Sequence, residues 1–181
     1  MHTEVASRDV VVLVDRAGAP EGEAAKLDAH VAPGRLHLAF SVLLYREDGR
    51  TLLQQRAATK YHFPLHWANA CCSHPGPGED VLASAERRVR EELGVGAALE
   101  SAGTFTYRAT CPVSGLVEHE FDHVLIGRLE GEPDPALGEV AALEWVDPAQ
   151  VLAGRRSGLL APWLVPALRL GERARAGATG R

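Results

Sequence analysis

The segment from Glu79 to Leu93 constrains the fold of this chain more than any other. Its apolar side chains recur at helical spacing, at Leu82, Ala85, Val89 and Leu93. Residues at this spacing share one face of a helix, so the segment predicts an amphipathic helix that packs on the rest of the domain. Gly94 follows directly and is typical of a helix C-terminus, where the backbone turns left-handed.

Apolar and β-branched runs elsewhere predict strands, and Asp48-Gly49 predicts a hairpin turn between two of them. The predicted strands cover residues 10–14, 36–45, 51–56, 67–72, 103–110, 117–129 and 142–146. Residues 21–29 fit either a short helix or an extended connection, and residues 163–170 predict a final helix. The fold class is therefore α+β, a mixed sheet with few helices packed on it. For 181 residues we expect one domain, with a core at about residues 8–170 and a disordered tail at 171–181.

The composition argues against several classes of partner. A net charge of −5 gives no reason to expect binding to nucleic acid or to an anionic membrane. No apolar run approaches the roughly 20 residues of a membrane span, and no N-terminal targeting pattern is visible.

Cys71, Cys72 and Cys111 do not make a disulfide framework, because adjacent cysteines rarely pair with each other. We therefore expect a reduced, cytoplasmic protein, and we predict a monomer.

A thiol and an imidazole lie two residues apart just before the helix, at Cys72 and His74. The helix segment adds carboxylates, among them Glu79, Glu91 and Glu92. The pair fits an acid–base or metal site, and it also fits a cysteine–histidine nucleophile couple. A free cysteine is otherwise most often a small buried hydrophobic residue. Cys71 points to the opposite face of the predicted strand and fits that structural role better.

Glu118 and Glu120 point to the same face of a predicted strand, because alternate residues share a face. They fit an exposed polar face, a pair of metal ligands, or one metal ligand and one acid. His30, His37 and His74 add imidazole donors, although a single histidine is more often a surface or core residue than a ligand. Three histidines and two carboxylates together suit Mn²⁺, Zn²⁺ or Fe²⁺ better than Ca²⁺.

The helix segment approaches the Nudix box, Gly-x5-Glu-x7-Arg-Glu-U-x-Glu-Glu-x-Gly-U, in which U is aliphatic. The matching residues are Glu79, Arg87, Val89, Glu91, Glu92 and the closing Leu93-Gly94-Val95. Ser73 stands at the leading glycine, and Arg88 stands where Nudix hydrolases keep a glutamate. Those hydrolases use the helix carboxylates to hold metal ions against a diphosphate. A cation at Arg88 therefore leaves the prediction of the fold intact but weakens the prediction of a hydrolase.

With motifs elsewhere, the chain resembles the type 1 isopentenyl-diphosphate Δ-isomerases, a family of the Nudix fold, over about residues 8–165. The motifs are Arg35 to Ser41, Trp67-x-Asn69-x-x-Cys72-x-His74-Pro75, Arg87-Arg88-x-x-x-Glu92-Leu93-Gly94, Tyr107 to Ala109 and Glu118-x-Glu120. Arg88 belongs to this family's pattern. The chain departs from the pattern at Ser73, at Cys71 and by one inserted residue around Val113. The resemblance implies a mixed β-sheet sandwiched by helices, with added N- and C-terminal elements.

The same resemblance implies an enzyme of isoprenoid biosynthesis that interconverts isopentenyl diphosphate and dimethylallyl diphosphate. One proton is added to the terminal alkene carbon, and another is removed from C2. Cys72 and Glu120 would transfer these protons on opposite faces of the substrate, with Tyr107 beside Glu120. Trp163 would cover the carbocation through a cation–π contact.

Two metal sites and a diphosphate site are also implied by the resemblance. One divalent ion, Mn²⁺, Mg²⁺ or Zn²⁺, would bind His30, His37, His74, Glu118 and Glu120. A Mg²⁺ ion would accompany the diphosphate at Glu92, and Cys72 is counted among the metal contacts. The diphosphate would meet four cations, Lys26, Arg56, Lys60 and Arg88. The alternative functions are a Nudix hydrolase of a nucleoside diphosphate derivative and an inactive Nudix-like binding module.

Overall fold

The computed structural model describes residues 9–136 and 138–178. Within these two ranges the chain forms nine strands and four helices. The strands are β1 (Val10–Val14), β2 (Pro20–Ala25), β3 (His37–Leu44), β4 (Thr51–Arg56), β5 (Trp67–Asn69), β6 (Cys71–Ser73), β7 (Ala97–Thr110), β8 (Val117–Leu129) and β9 (Val140–Val146). The helices are α1 (Lys26–His30), α2 (Val81–Leu93), α3 (Pro148–Leu152) and α4 (Leu164–Ala178).

The strands of the described ranges divide between two sheets, where the sequence predicts one. The larger sheet has the order β2-β1-β3-β8-β7 with β6 paired to β3, and the smaller has the order β5-β4-β9. β3 and β8 are parallel, whereas the other pairs are antiparallel. The parallel register sets His37 opposite Glu120. The predicted α+β class with a mixed sheet is confirmed.

β3 divides the core because its side chains alternate between two faces. Phe40, Val42 and Leu44 are buried with the apolar face of α2. Leu43, and Tyr45 directly after the strand, are buried instead with α4. Fully burying a large apolar side chain stabilises the fold by roughly 1.5–3 kcal/mol. The two helices thus cover opposite faces of the larger sheet, which agrees with the predicted sandwich.

The predicted helix at Glu79 begins two residues later, at Val81. Asp80 caps it, because its carboxylate accepts a hydrogen bond of 2.9 Å from the Ala83 N–H. Glu79 therefore precedes the helix, and its own carboxylate accepts from the Gly76 N–H at 2.9 Å. The predicted end of the helix at Gly94 is confirmed, with a left-handed φ of 70°.

The predicted strand 67–72 is interrupted after Asn69. β5 belongs to the smaller sheet, whereas β6 begins at Cys71 and pairs with β3. The Asn69 side chain explains the change of partner, since its amide donates to the carbonyls of Val42 and Cys71 at 3.0 and 2.9 Å. The interruption carries the chain from one sheet to the other directly before Cys72.

The prediction of a disordered tail from residue 171 is wrong for residues 171–178, which continue α4. Residues 179–181 and Arg8, at the predicted start of the core, lie outside the described residues. Gly171 packs so closely on β3 that an added Cβ would lie 2.4 Å from Leu43 Cδ1. The Arg175 guanidinium lies 4.0 Å from the centre of the Tyr45 ring. Tertiary contacts therefore order a segment whose composition suggests disorder. None of the described helices is long and apolar enough to cross a membrane.

Candidate active site

Five donor side chains, far apart in the sequence, meet around the starts of β3 and β8. They are His30, His37, His74, Glu118 and Glu120, and one ligand atom from each lies within 4.8 Å of all the others. The parallel register of β3 and β8 accounts for His37 and Glu120, and α1 ends at His30. All of them except His74 are buried. The structure thus brings together all five residues that the resemblance assigns to one metal ion.

Backbone carbonyls orient two of these histidines. His30 Nδ1 lies 2.6 Å from the Lys26 carbonyl and His37 Nδ1 lies 2.8 Å from the Arg35 carbonyl, so both Nδ1–H groups donate outward. Each Nε2 lone pair is then directed into the cluster, where His37 Nε2 lies 3.2 Å from His74 Nε2. Two ring nitrogens at this distance need a proton or a cation between them. The donor set therefore fits a divalent metal ion, and it does not distinguish among Mn²⁺, Mg²⁺ and Zn²⁺.

Glu120 stays ionised although it is buried. Burial by itself raises the pKa of a carboxyl group, but hydrogen bonds with His37 and His74 hold the pKa of Glu120 well below its usual value. His74 Nε2 lies 2.9 Å from Glu120 Oε1. Burial, followed by the charge of Lys26, lowers the pKa of His74 to about 3. A neutral imidazole and an ionised carboxylate are the forms that bind metal ions.

Tyr107 in β7 lies directly opposite Glu120 in β8. Its hydroxyl donates to Glu120 Oε2 at 2.6 Å. Burial and the nearby carboxylates raise the pKa of Tyr107 well above its usual value, so the phenol keeps its proton and remains a donor. A hydrogen bond to a charged group of this kind contributes about 1.5–3 kcal/mol. Tyr107 therefore fixes one carboxylate oxygen of Glu120.

Cys72 faces the same cavity from β6. Its thiol lies 3.0 Å from Asn69 Oδ1, and the indole N–H of Trp163 donates to its sulfur at 3.1 Å. Burial, and then the charge of Asp122, raise the pKa of Cys72, so the thiol is protonated. Cys71 instead is fully buried in the apolar core beside α2. Strand alternation thus gives the two adjacent thiols different environments.

The cavity has a volume of about 70 Å³. Its lining includes the four cations predicted to bind a diphosphate, Lys26, Arg56, Lys60 and Arg88. Arg88 donates to Glu92 at 2.6 Å and to Glu91 at 2.7 Å, and Lys60 pairs with Glu139. Acidic residues beside the cavity therefore balance part of this positive charge.

The five-residue donor cluster found among the described residues includes neither Glu92 nor Cys72. Glu92 lies on α2 and also accepts a hydrogen bond of 3.3 Å from Gln54 Nε2. The second predicted metal site thus has one protein carboxylate, already paired with Arg88, while the Cys72 thiol contacts Asn69 and Trp163.

Sequence reasoning missed two buried polar residues of the site, Asp122 and His62. Asp122 shares the β8 face with Glu118 and Glu120, so the same alternation rule would have included it. Its carboxyl group accepts a hydrogen bond of 2.7 Å from Ser41, and burial followed by the charge of Glu120 raises its pKa well above the usual value. His62 reaches Glu118 from a loop, and no periodic signal marks it.

Comparisons with known proteins find a matching family model and named relatives over most of the chain. A family model for the NUDIX domain matches residues 35–165. A protein of Nocardia farcinica named isopentenyl-diphosphate Delta-isomerase is 51% identical over 173 residues, which cover 94% of this chain and 99% of that protein. A protein of the same name from Streptomyces coelicolor is 47% identical over 157 residues, covering 86% of this chain and 80% of that protein.

Solved structures with lower identity share the fold. A protein of Deinococcus radiodurans superposes with a TM-score of 0.70 at 20% identity, covering 88% of this chain and 97% of that one. The MutT protein of Methanosarcina mazei superposes with a TM-score of 0.63 at 18% identity, covering 79% and 95%. At these identities the likeness concerns the fold alone.

Proposed function

The chain belongs to the NUDIX family and, within it, to the isopentenyl-diphosphate Δ-isomerases, and we propose that it interconverts isopentenyl diphosphate and dimethylallyl diphosphate. The resemblance and the Nudix fold predicted from the sequence are thereby confirmed. One observation supports the assignment of roles most directly. Glu120 and Cys72, two groups that can exchange protons, line one cavity together with Trp163.

The reaction moves a double bond without a net gain or loss of atoms. A proton added to the terminal alkene carbon forms a tertiary carbocation, and loss of a different proton from C2 forms the new double bond. One group must give a proton and another must accept one. Water must be excluded, because it would add to the cation. A cavity lined by two acid–base groups, Glu120 and Cys72, and by the buried ring of Trp163 meets these requirements.

Glu120 is the proposed proton carrier on the side of the donor cluster. Tyr107 contacts one of its oxygens at 2.6 Å and His74 contacts the other at 2.9 Å. The carboxyl group is therefore held in one orientation, which lowers the entropic cost of reaching the transition state. Tyr107 acts here by holding Glu120 and by donating its hydrogen bond.

Cys72 is the proposed proton carrier on the other side of the substrate. The Asn69 carbonyl oxygen accepts from the thiol, and the Trp163 N–H donates to the sulfur. These two contacts serve both protonation states, since the first holds the S–H proton and the second stabilises a thiolate. The residue can therefore give and take a proton without forming a covalent bond to the substrate.

Trp163 is the proposed cover of the carbocation. It is 3% exposed, and its ring centre lies 5.5 Å from that of Phe63 and 5.9 Å from that of Tyr107. A desolvated cation on an indole face gains about 2 kcal/mol. The surrounding rings also exclude water from this part of the cavity.

The five clustered residues, His30, His37, His74, Glu118 and Glu120, are the proposed ligands of one divalent ion. When bound, that ion would neutralise the two carboxylates and set the acidity of Glu120. For the Mg²⁺ ion predicted to accompany the diphosphate, Glu92 is the proposed carboxylate, since Mg²⁺ usually takes one or two protein carboxylates together with substrate phosphates. A metal contact of Cys72 stays a prediction.

The diphosphate is proposed to bind Lys26, Arg56, Lys60 and Arg88, which line the cavity beside the donor cluster. Arg88 is also what disfavours the hydrolase alternative, because it replaces one of the metal-binding glutamates of the Nudix box. The monomeric state, the cytoplasmic location and the absence of nucleic-acid and membrane partners stay predictions from the sequence.

Incubation with isopentenyl diphosphate and Mg²⁺ in deuterated water tests the function. Dimethylallyl diphosphate that carries deuterium is the expected product. Released phosphate would indicate the hydrolase instead, and the absence of any turnover would favour the inactive binding module.

A further inference from the structure

His62 reaches the donor cluster from the loop of residues 57–66, which lies between β4 and β5. Its Nδ1 lies 2.5 Å from Glu118 Oε1. Both residues are buried, with exposed fractions of 8% for His62 and 2% for Glu118. The other carboxylate oxygen, Glu118 Oε2, lies 3.1 Å from His30 Nε2 inside the cluster. The two oxygens of one carboxylate therefore have different neighbours.

Three contacts hold His62 and its loop in place. The Arg56 guanidinium donates to the His62 carbonyl at 3.0 and 3.3 Å. The His62 ring stacks on the His30 ring, with centres 5.2 Å apart and an angle of 18° between the planes. The N–H of the next residue, Phe63, donates to Cys111 Sγ at 3.1 Å and so ties the loop to the end of β7. A ring that stacks on His30 and is carried by an anchored backbone can hold the group that it contacts.

We propose that His62 is a positioning residue for the divalent-metal cluster. Its Nδ1–H donates to Glu118 Oε1 and so leaves Oε2 directed at the ion. The inference rests on the proposed function, in which Glu118 is a metal ligand. Hydrogen bonds of this kind orient metal-binding carboxylates in many proteins, and their loss lowers metal affinity by roughly 10- to 100-fold.

The same loop connects the cluster to the proposed diphosphate site. Arg56, one of the four cations of the cavity, is bonded to the His62 carbonyl, while the His62 ring is bonded to Glu118. The loop therefore fixes the position of Arg56, which is proposed to bind the diphosphate, relative to Glu118, which is proposed to bind the metal ion.

His66 provides an internal comparison within the loop. It is also 8% exposed, and its Nδ1 hydrogen-bonds to the Pro64 carbonyl at 2.9 Å, inside the loop itself. His66 is not among the residues that line the cavity. Replacing His66 therefore perturbs a buried loop histidine without touching Glu118.

The test is the Mn²⁺ affinity of the full chain without substrate, read as free Mn²⁺ by electron paramagnetic resonance after removal of bound metal. His62→Ala is expected to raise the dissociation constant roughly 10- to 100-fold. His62→Asn is expected to recover most of this loss, because its amide N–H can take the place of Nδ1–H. His66→Ala is expected to bind Mn²⁺ like the unchanged chain.

Four results would overturn the inference. They are an unchanged affinity in His62→Ala, a His62→Asn variant no better than His62→Ala, an equal loss in His66→Ala, and no Mn²⁺ binding by the unchanged chain. Thermal unfolding of the metal-free variants monitors the fold. If His62→Ala does not fold, His62→Phe takes its place, because a phenyl ring fills the same space but has no N–H to donate to Glu118.

The isomerase assay separates this inference from the proposed function. If the unchanged chain isomerises its substrate and His62→Ala binds Mn²⁺ with unchanged affinity, the positioning role alone is contradicted. The expected affinities without any isomerisation would contradict the function alone.

Discussion

The Tyr107 hydroxyl lies 2.6 Å from a carboxylate oxygen of Glu120, across the antiparallel pair formed by β7 and β8. Both side chains lie on the cavity side of the sheet, and both line the cavity. The strand register therefore builds an acid–base group and its hydrogen-bond donor into one rigid pair. Sites built on paired strands are held more firmly than sites built on loops.

Tyr107→Phe removes this hydrogen bond and keeps the ring. A hydrogen bond to a charged group contributes about 1.5–3 kcal/mol, so kcat is expected to fall roughly 10- to 100-fold. KM for isopentenyl diphosphate is expected to change little, because the diphosphate cations are untouched. Steady-state kinetics measure both constants. Tyr45→Phe, on the α4 side of β3, is the matched control, and an equal loss of kcat in that control would contradict the prediction.

Cys72→Ala is expected to lower kcat for isomerisation by a factor of roughly 10²–10⁴ or more, because it removes a proton carrier. Cys71→Ala is expected to keep kcat and to lower the unfolding temperature, because Cys71 is fully buried in the apolar core. Product formation and thermal unfolding are measured for both variants. Equal loss of turnover in both variants, or loss in Cys71→Ala alone, would contradict the assignment of Cys72 as the proton carrier.

Glu139→Gln is expected to strengthen the binding of inorganic pyrophosphate. The Glu139 carboxylate pairs with Lys60 and lies 3.9 Å from Arg88, so it competes with an anionic ligand for two cations of the cavity. The pair is partly exposed and such pairs are worth about 0–1 kcal/mol, so the expected gain in affinity is at most roughly fivefold. Titration calorimetry measures the affinity for pyrophosphate. The gain in affinity is expected to become smaller as salt is added, because salt screens charges.

Glu144→Gln is the control for that experiment. Glu144 pairs with Arg156 at 2.8 Å, and neither residue lines the cavity. Weaker pyrophosphate binding in Glu139→Gln, or the same gain in Glu144→Gln, would show that Glu139 does not compete for the cations.

Gly171→Ala tests the packing of residues 171–178, the part of α4 that the sequence predicts to be disordered. The added methyl would lie 2.4 Å from Leu43 Cδ1 and 2.8 Å from Tyr45 Oη, so α4 must shift away from β3. The expected cost is about 1–3 kcal/mol in the free energy of unfolding. Gly177→Ala, in the same helix with nothing within 4 Å, is expected to gain up to about 1 kcal/mol. Chemical denaturation compares the two, and similar effects would contradict the docking of α4.

Local patterns predicted much of this molecule. Helical spacing located α2, and strand alternation set Glu118 and Glu120 on one face. The ends of elements were harder, because they depend on particular hydrogen bonds. Asp80 caps α2 two residues after the predicted start, and Asn69 breaks a run that otherwise reads as one strand. In both places a side chain that hydrogen-bonds to the backbone overrides the pattern of neighbouring residues.

Contacts between distant segments account for the rest. The order of residues 171–178 depends on Gly171 lying against Leu43, which composition cannot reveal. The position of the His62 ring depends on the path of the 57–66 loop, in which Phe63 and Leu65 adopt positive φ angles of 48° and 58°. Residues other than glycine seldom adopt such angles, and they tend to cluster at functional sites. No sequence pattern indicates that this loop would bring an imidazole to Glu118.

The most direct test of the proposed proton transfer is the position of deuterium in the product formed in deuterated water. Deuterium NMR of dimethylallyl diphosphate made by the unchanged chain is expected to show label in a terminal methyl group, and Cys72→Ala and Glu120→Gln are expected to give no labelled product. Release of phosphate without any labelled dimethylallyl diphosphate, or labelled product formed at an undiminished rate by either variant, would contradict the account.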